Sequence, residues 1–243
     1  MQQTQPSPYL IRATAVAALA TLLLALLLLF TYPAEAGLTE GFRTPVLAFE
    51  FARTAADLEF LTGNSDSAAN HRAAMDKGQY IDMLFPFAYA GLLALLLLGL
   101  ARQGITSAWL GLAFALSIIP SDIRENLLML EISAALANDQ AVTALLPTMH
   151  IATWFKWWGL AITAGFLAFA YLRRRHWFAA GLSALACAAI VLSWISDASP
   201  MVIETMALLL SLFYLFFAFQ AFWALKQASS ATTLRERTPT SIL

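Results

Sequence analysis

One cysteine and three histidines in 243 residues rule out several kinds of chemistry. Cys187 has no second thiol to pair with, so an intramolecular disulfide is impossible. Its setting, LACAAIV, reads as a small inert apolar position. His71, His150 and His176 have no paired spacing, so HExxH cannot be written, and no two spans present mid-membrane histidines to face each other across a haem. The sequence also lacks GxSxG and SxxK, so no nucleophile motif is present. No metal and no cofactor is expected. Charge is scarce too: Asp, Glu, Lys and Arg make up 12% of the chain, about half of the ~25% of soluble domains.

Apolar surface is abundant instead. The chain is 60% hydrophobic with a mean hydropathy of +0.70. A soluble globule cannot bury that much, so the class is integral membrane and the fold an all-α polytopic helical bundle. Crossing the hydrocarbon takes ~20 mostly apolar residues. Six segments qualify, near 10–31, 80–100, 106–128, 148–172, 177–196 and 201–224. Residues 1–228 read as a single transmembrane domain and 229–243 as a polar, mobile tail. The first run imitates a signal peptide, with Arg12 before it and Ala34-Glu35-Ala36 after it. Its apolar stretch, Ala13–Phe30, exceeds the ~7–15 residues of such regions, so an uncleaved anchor is the expectation.

Basic residues set the orientation. Arg12, Arg102, Arg173, Arg174, Arg175, Lys226, Arg235 and Arg237 fall on one side, LRRRHW being the strongest signal. That predicts cytoplasmic N- and C-termini in a bacterial inner membrane. Of the fifteen carboxylates only Glu236 shares that side. The acidic outer face excludes nucleic acid as a partner. The expected partners are membrane lipid, a small amphiphilic ligand, or another membrane protein packed on small residues such as Ser107, Gly111 and Ala115.

Residues 32–79 are too long for a turn. RTPVLAFEFARTAADLEFLTGN predicts one amphipathic helix started by Thr44 and Pro45 and ended by Gly63. A second short helix is expected over Ser67–Lys77, ending at Gly78. The pair reads either as a structural cap or as a lid with Glu50 pointing inward.

The stretch SIIPSDIRENLLMLEI interrupts the third span with Asp122, Arg124, Glu125 and Glu131. Asp122, Glu125 and Asn126 share a helix face, and Arg124 points elsewhere. Two acids on one face need a cation, a proton or a metal between them. Lys156, in the fourth span, supplies a cation at similar depth; His150 lies nearer the surface. The second span adds Asp82 and, seven residues on, Tyr89; the sixth opens near Glu204. Ionisable groups at membrane depth face a bundle interior or a wet cavity. Glu125 or Asp122 is the acid–base candidate, with Lys156 as electrostatic partner. Glu50, Asp82, Tyr89, Asn126 and His150 are the ligand-binding candidates.

Three functions compete. The first is binding or modification of a lipid or small amphiphile at the outer leaflet. The second is a non-catalytic structural or assembly subunit. The third is an ion- or proton-coupled transporter, disfavoured by the apolar inner halves of the spans. The set AFEFA (48–52), DMLFPFAY (82–89), DIREN (122–126) and Lys156 resembles a group of uncharacterised bacterial multi-pass membrane proteins with an FE pair, a D-x-x-F-x-x-x-Y span, a D-x-x-E-N helix and a later Lys. The likeness covers about residues 45–160. It implies one site made of Glu50, Asp82, Tyr89, Asp122, Glu125, Asn126 and Lys156, and no activity.

Overall fold

The computed structural model describes residues 7–34 and 37–237, with side chains as far as residue 230. Glu35 and Ala36 of the tripeptide after the first span lie outside the described residues, as does the end of the tail from 238. Helices account for all the regular structure described, with no strand. They are α1 (Pro8–Thr31), α2 (Pro45–Glu50), α3 (Asp66–Asp82), α4 (Phe85–Arg102), α5 (Ala108–Ala137), α6 (Leu146–Arg173), α7 (Trp177–Ile195) and α8 (Pro200–Arg237), with a 3-10 helix at Ala55–Leu61.

Local chemistry sets many of these ends. Pro8, Pro45, Pro86, Pro147 and Pro200 stand in the first turns of α1, α2, α4, α6 and α8, where a missing N–H costs nothing. The helices α4, α5, α6 and α7 each close through a left-handed residue, at Gly104, Asp139, Arg175 and Asp197. In each, the amide three residues past the helix end bonds back five residues, as His176 N–H does to the Tyr171 carbonyl at 3.0 Å.

The long helices form a closed ring. Each packs on the next in chain order, α4 to α5 to α6 to α7 to α8, while α1 fills the gap between α4 and α8. Phe213, Phe217, Leu93 and Leu97 are fully buried in its core. Gly111 brings α5 close to both neighbours: a Cβ there would stand 2.7 Å from Phe166 Cβ and 2.9 Å from Leu97 Cδ2. Gly111 and Ala115 are thus used inside this chain. Large apolar side chains such as Leu23, Phe30, Phe155, Phe169, Ile195 and Trp223 face outward, as lipid contact requires.

Five stretches are long and apolar enough to cross a membrane: Pro8–Thr31, Asp66–Arg102, Leu146–Arg173, Trp177–Ile195 and Pro200–Ser230. The count of six expected from the sequence is met for five. α5 is long enough, 30 residues or ~45 Å, but Asp122, Arg124 and Glu125 interrupt its apolar run.

Three further expectations are corrected. The single amphipathic helix after residue 44 is two pieces, α2 and the 3-10 helix. The Asp57 carboxylate takes the Arg53 and Thr54 amides at 3.0 and 2.8 Å and starts a new helix there. α3 does not stop at Gly78 but runs to Asp82. Gly78 is needed for packing instead, since a Cβ there would collide with the Tyr32 ring. A break at Met83–Leu84 then separates α3 from α4, because Pro86 cannot donate to the Asp82 carbonyl. α5 continues well past 128 to Ala137. Its extra turns build a second core with the start of α6 and the loop segment: Phe49, Leu58, Leu61, Met75, Met129, Ile132 and Met149. The polar stretch from Ser229 is helical as far as Arg237.

That second core holds segment 37–64, the cover, over one end of the ring. The Arg53 guanidinium bonds both Asp197 oxygens at 2.8 and 2.6 Å. Glu204 on α8 accepts the Arg43 and Thr44 amides at 2.9 and 2.8 Å and the Thr44 hydroxyl at 2.8 Å. Arg72 on α3 donates to the Leu61 and Gly63 carbonyls at 2.5 and 2.8 Å.

Candidate functional site

Under the cover, Lys156 is the centre of a cluster of acids. On α6 it stands ~26 Å back from Arg173, and on α5 Asp122 stands ~21 Å from Ala108. The two helices are packed neighbours, so the groups meet at one depth. The Lys156 ammonium lies 3.0 Å from Glu50 Oε1 and 3.6 Å from Asp122 Oδ1, and it pairs directly with Glu125 Oε2. All four side chains are buried, Glu125 completely.

Each acid has a structural reason to be there. Asp122, Glu125 and Asn126 share the inward face of α5, while Arg124 and Glu131 are exposed, as helical spacing predicts. Glu50 is the last residue of α2, brought down by the cover. Its second oxygen takes the Trp157 indole N–H at 3.3 Å, and its carbonyl takes the Thr153 hydroxyl at 3.2 Å. Phe51 stacks on Trp157 at 6.1 Å and meets Trp154 edge-on at 5.5 Å, sealing that side. The Tyr89 hydroxyl on α4 donates to Asp122 Oδ2 at 2.5 Å. Asp82 ends α3 beside Asn126, whose amide faces its carboxyl without closing a hydrogen bond of good geometry.

Seven of the eight residues named from the sequence therefore come together: Glu50, Asp82, Tyr89, Asp122, Glu125, Asn126 and Lys156. His150 does not. It sits half-buried nearer the surface, edge-on to Trp154 at 6.3 Å, and its nearest charges are Arg53 and Asp197. Its position on α6, almost two turns before Lys156, turns it toward the clasp of the cover.

The structure adds residues that sequence reasoning passed over. Tyr32, just past α1, lays its ring on Gly78 with its hydroxyl buried near Asp82, Glu50, Asp122 and Glu125. Tyr214 on α8 meets Tyr89 edge-on at 5.7 Å, its hydroxyl buried near Asp122. Trp157 also holds its ring 5.2 Å from the Lys156 ammonium. For Tyr214 a signal existed: it is the one hydroxyl in the apolar run LFYLFFAF.

Charge is the main feature. Four buried carboxylates, Glu50, Asp82, Asp122 and Glu125, surround one ammonium, so full ionisation would leave three uncompensated negative charges. Like charges in a shared buried site force some of their number to keep protons. Burial pushes the Glu50 carboxyl above its ordinary range, opposed by Lys156 and reinforced by Asp122. At the clasp the forces run the other way: the Arg53 hydrogen bond holds the exposed Asp197 carboxyl below its usual range. Among the described residues no group of three His, Cys, Asp or Glu is arranged to hold a metal ion. Two cavities, about 500 Å3 beside Phe42 and His71 and about 330 Å3 beside Leu100 and Arg174, are lined by none of the cluster residues. In comparisons with family models, curated proteins and solved structures, nothing matches this chain.

Proposed function

We propose that the chain is a six-span protein of a bacterial inner membrane, termini cytoplasmic, that binds a small amphiphile at the outer leaflet through the Lys156 cluster. α5 is the sixth span, its charged face turned into the bundle and its length sufficient to cross. The cover then lies outside, and the basic turns lie in the cytoplasm. In this reading the chain is one of the multi-pass proteins that share its FE, D-x-x-F-x-x-x-Y, D-x-x-E-N and Lys pattern.

One observation carries the functional reading: three acids from two chain segments pair with a single buried lysine under the cover, with a fourth acid, Asp82, buried beside them. A network kept only to lock helices together works best with matched charge, since an uncompensated buried charge destabilises strongly. Surplus acid suits a site that gives up protons for a positive charge. The ligand class that fits is an amphiphile with a cationic head group, entering from the outer leaflet when the cover lifts. Glu125 and Asp122 are the acid–base pair, Lys156 holds them apart, and Tyr89, Asn126 and Asp82 position the head group. Binding is favoured over modification, because the Lys156 amine is occupied by carboxylates and no other activated nucleophile stands beside it among the described residues.

A structural or assembly role has one observation in its favour: Lys156 is 5% exposed and already satisfied by three acids. Native mass spectrometry after gentle solubilisation, followed by lipid extraction, separates the two readings. The amphiphile-binding reading expects one specific bound amine-bearing lipid, lost in Glu125→Gln while the melting temperature stays near wild type. Bare protein in both chains, with a lower melting temperature in the variant, supports the lock.

A further inference from the structure

Buried polar atoms continue from the cluster toward the cover end of the molecule, along the seam between α3 and α5. Asp76, Gln79 and Asp82 follow at three-residue steps, which keeps them on one face of α3. The packed face of α5 presents Asn126 and, two turns on, Ser133. Gln79 is completely buried, yet neither its Nε2 nor its Oε1 has a hydrogen-bond partner among the described residues. The same is true of Ser133 Oγ, Asn126 Nδ2, Asp76 Oδ1 and the Tyr32 hydroxyl. Three adjacencies place these residues along the seam: the Asp76 carboxyl adjoins Ser133 and Arg72, the Tyr32 ring lies on Gly78, next to Gln79 in the chain, and Asn126 faces Asp82.

A buried primary amide has two donors and two acceptor sites to satisfy. Nearly all such groups in native proteins find partners, in protein or in ordered water. One orphan is a local accident, but a row of them between a half-buried acid and a fully buried acid cluster leaves many donors and acceptors that ordered water could satisfy. Met75, Met129 and Ile132, fully buried on the same two helices, make the surroundings apolar.

We propose that this seam binds a file of water molecules that carries protons between Asp76, at the cover end, and the Asp82–Glu125 cluster. The inference rests on the reading of that cluster as a proton-exchanging site. Each water accepts one proton from its neighbour and passes one on. The file is unchanged afterwards, and the proton released by one terminal carboxyl is bound by the other. Asp76 is the exchange group at the mouth, with Arg72 beside it. The charged groups at the far end are Asp82, Glu125, Glu50, Asp122 and Lys156, with the Tyr32 phenol alongside. Gln79 and Ser133 do not titrate; they are positioning residues that hold the waters in line. With this path the cluster can trade protons with the medium while the cover stays closed.

The test is infrared spectroscopy of the full chain in lipid nanodiscs, following the carbonyl band of protonated carboxyls after a switch from H2O to D2O. Wild type should show the band and its deuterium shift within the mixing time. Gln79→Leu should slow the shift by at least tenfold with the band itself retained, and Asp76→Asn should slow it too. Ser133→Ala, which removes the hydroxyl and adds no bulk, carries the test if Gln79→Leu does not fold. Exchange at the wild-type rate in the folded variants overturns the water file and leaves the cluster reading standing. The absence of any protonated-carboxyl band in wild type near neutral pH overturns both.

Discussion

Removing the Lys156 ammonium leaves Glu50, Asp122 and Glu125 facing one another inside the protein. Breaking such a buried arrangement costs about 3–5 kcal/mol, so Lys156→Met should lower unfolding stability by that order. Adding Glu125→Gln removes one of the stranded charges and should restore part of the loss. Simple additivity of the two substitutions in an unfolding experiment would mean that the groups do not interact. Gly78→Ala probes a second contact, where the new methyl must displace the Tyr32 ring. Overpacking of this kind costs about 1–3 kcal/mol, and Tyr32→Ala in the same chain should absorb it. A Gly78→Ala protein as stable as wild type would refute the close approach. The acids and the lysine were legible in the sequence because charge is rare there and helical spacing sorts it by face. Tyr32, Trp157 and Tyr214 were not, because their partners lie on other helices and tyrosines and tryptophans are common at membrane boundaries for other reasons.

At the scale of elements, the side of the cover that faces the α7–α8 turn and α8 is pinned by two contacts of unequal weight. The Arg53–Asp197 pair is exposed to water, which leaves it little net effect. Glu204 takes two backbone amides and a hydroxyl in a half-buried setting, and hydrogen bonds to a charged group contribute about 1.5–3 kcal/mol. Amide hydrogen exchange over 43–50 should therefore speed up more in Glu204→Gln than in Asp197→Asn; the reverse order would contradict this ranking. The cover should also respond to pH. Closing it takes Glu50 out of water, and burial raises the affinity of its carboxyl for a proton. Below the ordinary glutamate range, around pH ~4.3, Glu50 is protonated in both states and closure carries no penalty from it. As pH rises through and above that range, the open state loses its proton first and gains ground. Exchange of the cover amides, corrected for intrinsic rates, should rise with pH in wild type and flatten in Glu50→Gln. Sequence reasoning placed an outer segment here, offering an inward Glu50 as one of two readings, but drew it as one helix, because the Asp57 carboxylate that restarts the chain looks like any helix-surface acid until its amide partners are known. It also ended α5 early, since Leu128, Met129 and Ile132 serve the second core and not the membrane.

For the whole molecule, the open question of α5 has a direct test. In a Cys187→Ala chain, cysteines at the exposed positions Thr106 and Gln140, on either side of α5, should react with an impermeant maleimide from opposite faces of the membrane. Labelling of both from one face would leave five spans and put the termini on opposite sides. The ring closes in chain order, so most of its contacts form between helices made one after another. The pins of the cover do not: Asp197 lies 144 residues after Arg53, and Glu204 161 residues after Arg43. During synthesis the acid cluster can gather as soon as α6 is inserted, but nothing from α8 is yet available to fasten its roof. A nascent chain thus passes through a stage in which its most charged interior is covered only through the second core, Arg72 and the Glu50 contacts, and a product truncated before α8 stays there.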